Sequence, residues 1–334
     1  MLSRDAQVAL TLKLVGGLST DEIARAFLIP AATVAQRIVR AKRSLTDARV
    51  PFELPPRAQL GERLAAVLEV IYLVFNEGHA ATRGDDWMRP ALCDEALRLA
   101  RMLSALAPHE AEVHGLQALM EIQASRAPAR TDAQGRPVLL MAQDRGRWDR
   151  LLIRRGLAAL AQAESLCSAA QQLQQQQHHQ QQQQQQPLGP YALQAAIAAC
   201  HARALRAEDT DWLRICALYD ALMQRQASPV VALNRAVAVS QAHGPAAALP
   251  LVQALMAQPQ LAHYHLLPSV LADLLARLGR HDEARAQWLR AAHLTRNVRE
   301  RELLLERARL TQPHSPSNTP SNTPSPTPPK GGKS

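Results

Sequence analysis

Apolar residues recur at helical spacing from the start of the chain. Ile23, Ala24 and Phe27 fall on one face. Pro30 then interrupts, because a proline disfavours helix in the residue before it. Val34, Ile38, Ala41 and Leu45 resume the period. Ser19 followed three positions later by Glu22 is a capping-box start. The stretch Ser19 to Leu45 therefore predicts two short helices joined by a tight turn, the second beginning near Ala31. Further stripes follow: Leu64, Val67, Leu68, Ile71, Tyr72 and Phe75; Leu92, Ala96, Leu99, Leu103 and Leu106; Trp212, Ile215, Tyr219, Leu222 and Met223. No convincing period-two alternation occurs, so the expected fold is all-α.

Composition refines this picture. Of 334 residues only 3% are aromatic, so the cores are built from Leu, Ala and Val. Prolines 51, 55 and 56 make residues 49–57 a stiff joint between an N-terminal unit, 1–48, and a helical domain, 58–170. Residues 171–190 are a glutamine-rich insert open to three readings (extension of the preceding helix, disorder, or association), 191–311 a second helical stretch, and 312–334 a Pro/Ser/Thr tail too poor in apolar area to offset its ordering entropy. The segment LADLLARLGRHDEARAQWLRAAHL reads as a helical-repeat unit, with Gly279 closing one helix and Ala284, Trp288 and Ala291 facing back from the next. Stacked repeats would offer a curved surface to a protein partner; a plain helical bundle is the alternative. The net charge of +9 suits a nucleic-acid partner. Residues 1–50 hold eight Lys or Arg against four Asp or Glu, so charge supports DNA contact only together with the motif.

The second predicted helix carries Thr33, Gln36, Arg37, Arg40, Lys42 and Arg43 away from its apolar stripe. A tight helix pair with a basic second member matches the motif whose second helix enters the DNA major groove. Arg and Gln can bond base edges bidentately, whereas peripheral Lys and Arg grip phosphate. An ordinary solvated basic face is the competing reading. The segment ALTLKLVGGLSTDEIARAFLIPAATVAQRIVRAKRSL resembles region 4 of sigma-70-type factors of the extracytoplasmic-function group. That resemblance implies recognition of a promoter −35 element by Thr33, Gln36, Arg37, Arg40, Lys42 and Arg43, with the β flap of core RNA polymerase as partner. Arg25 is a further candidate for the DNA backbone. Ala35 and Leu28 depart from the pattern: many relatives place a basic residue at the first, and helix-turn-helix proteins often use glycine at the second.

Later segments, among them IYLVFNEGHAA, QDRGRWDRLLI and SPVVALNRAVAVSQAHGPAAAL, resemble the TPR-like C-terminal extension of one sigma-factor subgroup. By the same resemblance the given chain is expected to lack region 2, and so not to direct open-complex formation by itself. A helical-repeat interaction module and a stand-alone helix-turn-helix regulator are the alternative functions.

Other chemistry finds little support. His109 and His114 lie five apart, diverging by about 140° rather than sharing the helix face a zinc motif needs. Asn76, Glu77 and His79 read as a helix-end hydrogen-bond cluster. Asp144, Arg145, Arg147, Trp148 and Asp149 read as an Arg–Asp network fixing a loop, or as an interdomain contact that senses a signal. Cys93, Cys167, Cys200 and Cys216 form no CxxC pair and are expected as reduced thiols in a cytoplasmic protein. No catalytic residues, metal or cofactor are expected. No signal-peptide pattern opens the sequence as given, and its most apolar run, containing Glu69, is a core helix rather than a membrane span.

Overall fold

Ser3 starts the first helix, α1 (Arg4–Leu14), by accepting the Ala6 amide on its hydroxyl. Its apolar residues are almost continuous, and Ala6, Val8, Ala9, Leu10 and Leu12 are all buried. The computed structural model describes residues 2–27, 29–48, 57–177 and 188–311, and only the backbone at 4, 57–62, 83 and 171–177. Leu28, most of the proline-rich joint (49–56), the centre of the glutamine tract (178–187) and the tail (312–334) lie outside the described residues.

The capping box forms as expected. The Ser19 hydroxyl accepts the Glu22 amide at 3.3 Å, and a Glu22 carboxylate oxygen accepts the Ser19 amide at 2.6 Å, opening α2 (Thr20–Ala26). Pro30 then sets the start of α3 (Ala31–Asp47). Ser19→Ala removes the hydroxyl half of that cap and should cost about 1 kcal/mol. The check is the shift in urea midpoint at unchanged denaturant slope.

Eleven further α-helices follow among the described residues: α4 (Arg57–His79), α5 (Pro90–Leu106), α6 (Ala111–Ala124), α7 (Arg150–Gln177), α8 (Pro190–Arg203), α9 (Trp212–Arg225), α10 (Pro229–His243), α11 (Pro245–Leu255), α12 (Leu266–Arg277), α13 (His281–Leu294) and α14 (Val298–Leu310). Proline opens α5, α8, α10 and α11, where its missing N–H costs nothing. The fold is all-α. Its only strands among the described residues are two-residue pieces, β1 (Arg83–Gly84) and β2 (Arg296–Asn297), paired parallel.

Sequential helices pack on one another, and one core runs from the first three into the array. Leu12, Leu18, Ile23, Val34 and Ile38 share a buried cluster with Leu68, Ile71, Val74 and Phe75 of α4 and with Leu116 and Met120 of α6. Gly16 permits the close approach: a Cβ there would sit 3.1 Å from a Val74 methyl and 2.9 Å from the Leu12 carbonyl oxygen. Val67 and Leu106, placed in apolar stripes by their spacing, are exposed.

α7 continues without a break through position 170 to Gln177, since glutamine is a good helix former. Beyond the tract, α8 is positioned by α6. Glu112 accepts the Tyr191 and Ala192 amides at 2.9 and 3.1 Å, satisfying two otherwise unpaired donors of the first turn. Gly115 meets the Ala192 backbone where a Cβ would lie 2.6 Å from its nitrogen. The repeat-like pair α12/α13 turns at Gly279, φ +78°, with the Arg280 amide bonded back to the Leu275 carbonyl. Ala284, Trp288 and Ala291 are buried, as their spacing predicted.

Candidate nucleic-acid interface

Burial divides α3 cleanly. Val34, Ile38 and Ala41 face the core. Thr33, Gln36, Arg40 and Arg43, at three- and four-residue steps, make an exposed stripe on the opposite side. Lys42 is exposed on the flank of that stripe. Arg43 carries an ion pair of 3.6 Å to Asp47, but both side chains are largely exposed, so the pair is weak and easily exchanged for phosphate.

Arg37 occupies the other flank and is engaged within the unit. It pairs with Asp5 of α1 at 3.1 Å, and its guanidinium lies over the Phe27 ring at 5.8 Å. Its side chain is only 25% exposed. Five of the six candidate residues are thus exposed on α3, Arg43 with its weak partner Asp47, while Arg37 is held by Asp5.

Arg25 corrects its assignment to the DNA backbone. It points the other way, into the array: one guanidinium nitrogen donates to the Thr82 carbonyl at 2.8 Å and the other to Nδ1 of His265 at 2.9 Å. Because the guanidinium can only donate, His265 Nδ1 accepts. The ring's Nε2–H then donates to Glu300 at 2.7 Å. Burial pushes the Glu300 carboxyl up, but the His265 and Thr295 hydrogen bonds and the Arg25 charge outweigh it and leave it below its usual range. Glu22, beyond its capping role, accepts from Arg89 at 3.0 Å, and Arg89 also stands 3.6 Å from Glu77. Burial, with the Glu22 charge adding to it, raises the Glu77 carboxyl. Asp21 lies 3.6 Å from Arg296.

The α2 side of the helix-turn-helix is therefore fastened to the loop after α4 and to the last helices, leaving the α3 stripe outward. Asn297, fully buried, completes this fastening by donating to the Ala81 and Asp86 carbonyls at 3.2 and 2.8 Å. Nothing in local spacing announces these contacts; the only signal was the density of Asp, Glu and Arg on a short helix.

The group at 144–149 is not an Arg–Asp network. Asp144 accepts the Gly146 amide, and Asp149 accepts the Leu151 and Leu152 amides at the start of α7. Arg145 is buried against neutral acceptors, the carbonyls of His201 and Ala204 and the Thr210 hydroxyl, all at 2.9 Å. The cluster near the end of α4 does close the helix: Glu77 accepts the Thr82 amide, and the His79 carbonyl accepts from Arg130. The four cysteines are unpaired, and burial raises the Cys93 thiol to about 11. No described helix is long and apolar enough to cross a membrane.

With this geometry in place, comparison with known proteins gives two family matches. Residues 1–45 match sigma-70 region 4, and residues 63–164 match DUF6596, a family of unknown function. The chain is also 47% identical over 294 residues to an uncharacterized protein of Rhizobium meliloti (strain 1021), an alignment covering 88% of this chain and 64% of that protein. The chain thus spans under two thirds of that relative's length. The region 4 match covers α1, α2 and most of α3, the segment that carries the helix-turn-helix.

Proposed function

We propose that this chain, whose first 45 residues match sigma-70 region 4, is a sigma-type transcription initiation factor of the extracytoplasmic-function group. Its α3 reads a promoter −35 element, and its TPR-like helical array regulates that activity in the cytoplasm. The observation that carries this reading is the exposed stripe Thr33, Gln36, Arg40 and Arg43 on the second helix of a region 4 fold that turns its other side inward. Gln36 and Arg40 are the base readers, since each can form a bidentate pair with one base. Lys42 and Arg43 hold phosphate. Arg37 joins them after releasing Asp5, an exchange made cheap by the half-exposed carboxylate. Core RNA polymerase, through its β flap, is the protein partner, and the array offers a surface for a second one.

The test is a selection from randomised duplex DNA by the full chain in the presence of core polymerase. An enriched short motif is expected. Arg40→Ala should then cost about 1–3 kcal/mol on that motif and relax preference at one position. Lys42→Ala should weaken all sequences alike and reduce the salt slope by about 0.9. Equal, small losses on every duplex for both variants would leave only nonspecific charge and defeat the reading.

A further inference from the structure

Three arginines of the array, Arg130 and Arg145 buried and Arg126 half-buried, have no contacting carboxylate among the described residues. Arg126 bonds the Gln123 side-chain oxygen and approaches Nε2 of His79 at 3.3 Å. Arg130 bonds the His79 carbonyl and lies over Trp87. Arg145 has only the neutral acceptors described above. Burial, with the Arg145 charge adding to it, lowers Arg126 to about 10, and burial with the Arg126 charge lowers Arg130 to about 9. Burial and the charges of Arg130 and Arg126 push His79 well below its ordinary pKa, so it adds no further positive charge beside them. Taking an ion out of water costs several kcal/mol unless an opposite charge or full hydrogen bonding offsets it.

Arg126 lines a cavity of about 250 Å³ between α4, α6, α8, α9 and α10. His201 lines it too. That ring is buried, stands edge-on to Trp212 at 5.1 Å, and its Nδ1 has no hydrogen-bond partner among the described residues. Burial, with Arg126 and Arg145 adding to it, lowers His201 to about 4, so at neutral pH it presents one N–H rather than a charge. Tyr72, Gln123, Gln194 and Asn234 supply the other polar lining, and most of the remainder is aliphatic. The volume lies just below the roughly 300–1,000 Å³ of sites for drug-sized molecules.

We propose that this cavity binds a small organic carboxylate, with the carboxylate on Arg126 beside the His201 ring and the hydrocarbon body against the aliphatic wall. The ligand supplies the negative charge that the protein itself withholds. Two helices connect the site to the helix-turn-helix: Tyr72 of α4 and Leu119 and Ile122 of α6 line the cavity, while Ile71, Val74 and Phe75 of α4 and Leu116 and Met120 of α6 pack into the core shared with α1–α3. Only this regulatory consequence rests on the sigma-type reading. Ligand binding is measured without DNA, so either idea can fail alone.

The experiment is thermal unfolding of the full chain with butyrate, with its neutral isostere butyramide, and with inorganic phosphate, at matched ionic strength. Butyrate should raise Tm by about 2–4 °C at saturating concentration, and butyramide should not. Arg126→Met, which keeps much of the bulk without the charge, should have a Tm at or above wild type and no response to butyrate. His201→Ala should weaken the response. A response to phosphate with none to butyrate would overturn the carboxylate assignment. Indifference of the wild-type chain to both anions would mean that the cavity holds water, and would overturn the site. An Arg126→Met protein much less stable than wild type would make the guanidinium a structural cross-link instead; should that variant not fold, the butyrate and butyramide results on wild type decide.

Discussion

Phe75→Ala should lower the unfolding free energy by about 3–5 kcal/mol, and the helix-turn-helix should be lost in the same transition as the helices behind it. Phe75 is 1% exposed and belongs to the cluster holding Leu12, Leu18 and Ile23 on one side and Leu116 and Met120 on the other. Its ring also stacks on His79 at a centroid distance of 5.4 Å. Truncation removes apolar contact from both units at once and leaves a cavity that rigid helix packing closes only in part. Total stabilities of about 5–15 kcal/mol make this a large fraction of the whole. Hydrogen exchange resolves the second half of the expectation: amides of α1 and of α6 should lose protection together. Loss confined to α4–α6, with α1–α3 still protected, would show that the N-terminal unit stands by itself.

Arg101→Met should cost about 3 kcal/mol, and adding Glu121→Gln should return at least half of it. Glu121 is completely buried in α6. Arg101 of α5 grips it with two bonds, 2.8 and 3.1 Å, and Arg155 of α7 stands 3.5 Å away. The methionine keeps most of the stem packing but strands a buried carboxylate on one distant partner, the situation that costs most among ion-pair changes. The figure sits at the low end of that range because Arg155 remains and Arg101 is itself 35% exposed. Neutralising the stranded acid then recovers stability, although it removes a group that the wild type uses. Urea titration of both single variants and the double variant closes the cycle. A double variant no more stable than Arg101→Met would assign the loss to packing rather than charge.

The sequence made local structure legible where the determinants are local. Ser19 and Glu22, Pro30 and the period of Val34, Ile38 and Ala41 each act within a few residues, and each appears where its spacing places it. The outward stripe of α3 was legible for the same reason, since the buried positions define the exposed ones. The partners of Arg25 and Arg37 were not: a helical arginine looks the same whether it meets DNA, Asp5 or a histidine 240 residues away. The cluster at Arg145 likewise invited pairing with its neighbouring aspartates, whereas helix-start amides claim those carboxylates and Arg145 turns to α8. The passage of α7 through residue 170 was one of several open readings of the tract, because low complexity and the helix tolerance of glutamine point in different directions. The shared core was hidden too, as apolar stripes reveal that faces are buried but not which faces meet.

The fastening of α2 has a consequence in time. Arg25 waits for His265, 240 residues later, and Ala81 and Asp86 wait for Asn297, more than 200 residues later. At a synthesis rate of about 5–20 residues per second, 240 residues take roughly 12–50 s. Throughout that interval the capping box and the α1–α3 packing can already be in place on the nascent chain. Each newly made molecule therefore passes through a stage in which its helix-turn-helix precedes the contacts that fasten it, and the residues from His265 onward decide when that stage ends.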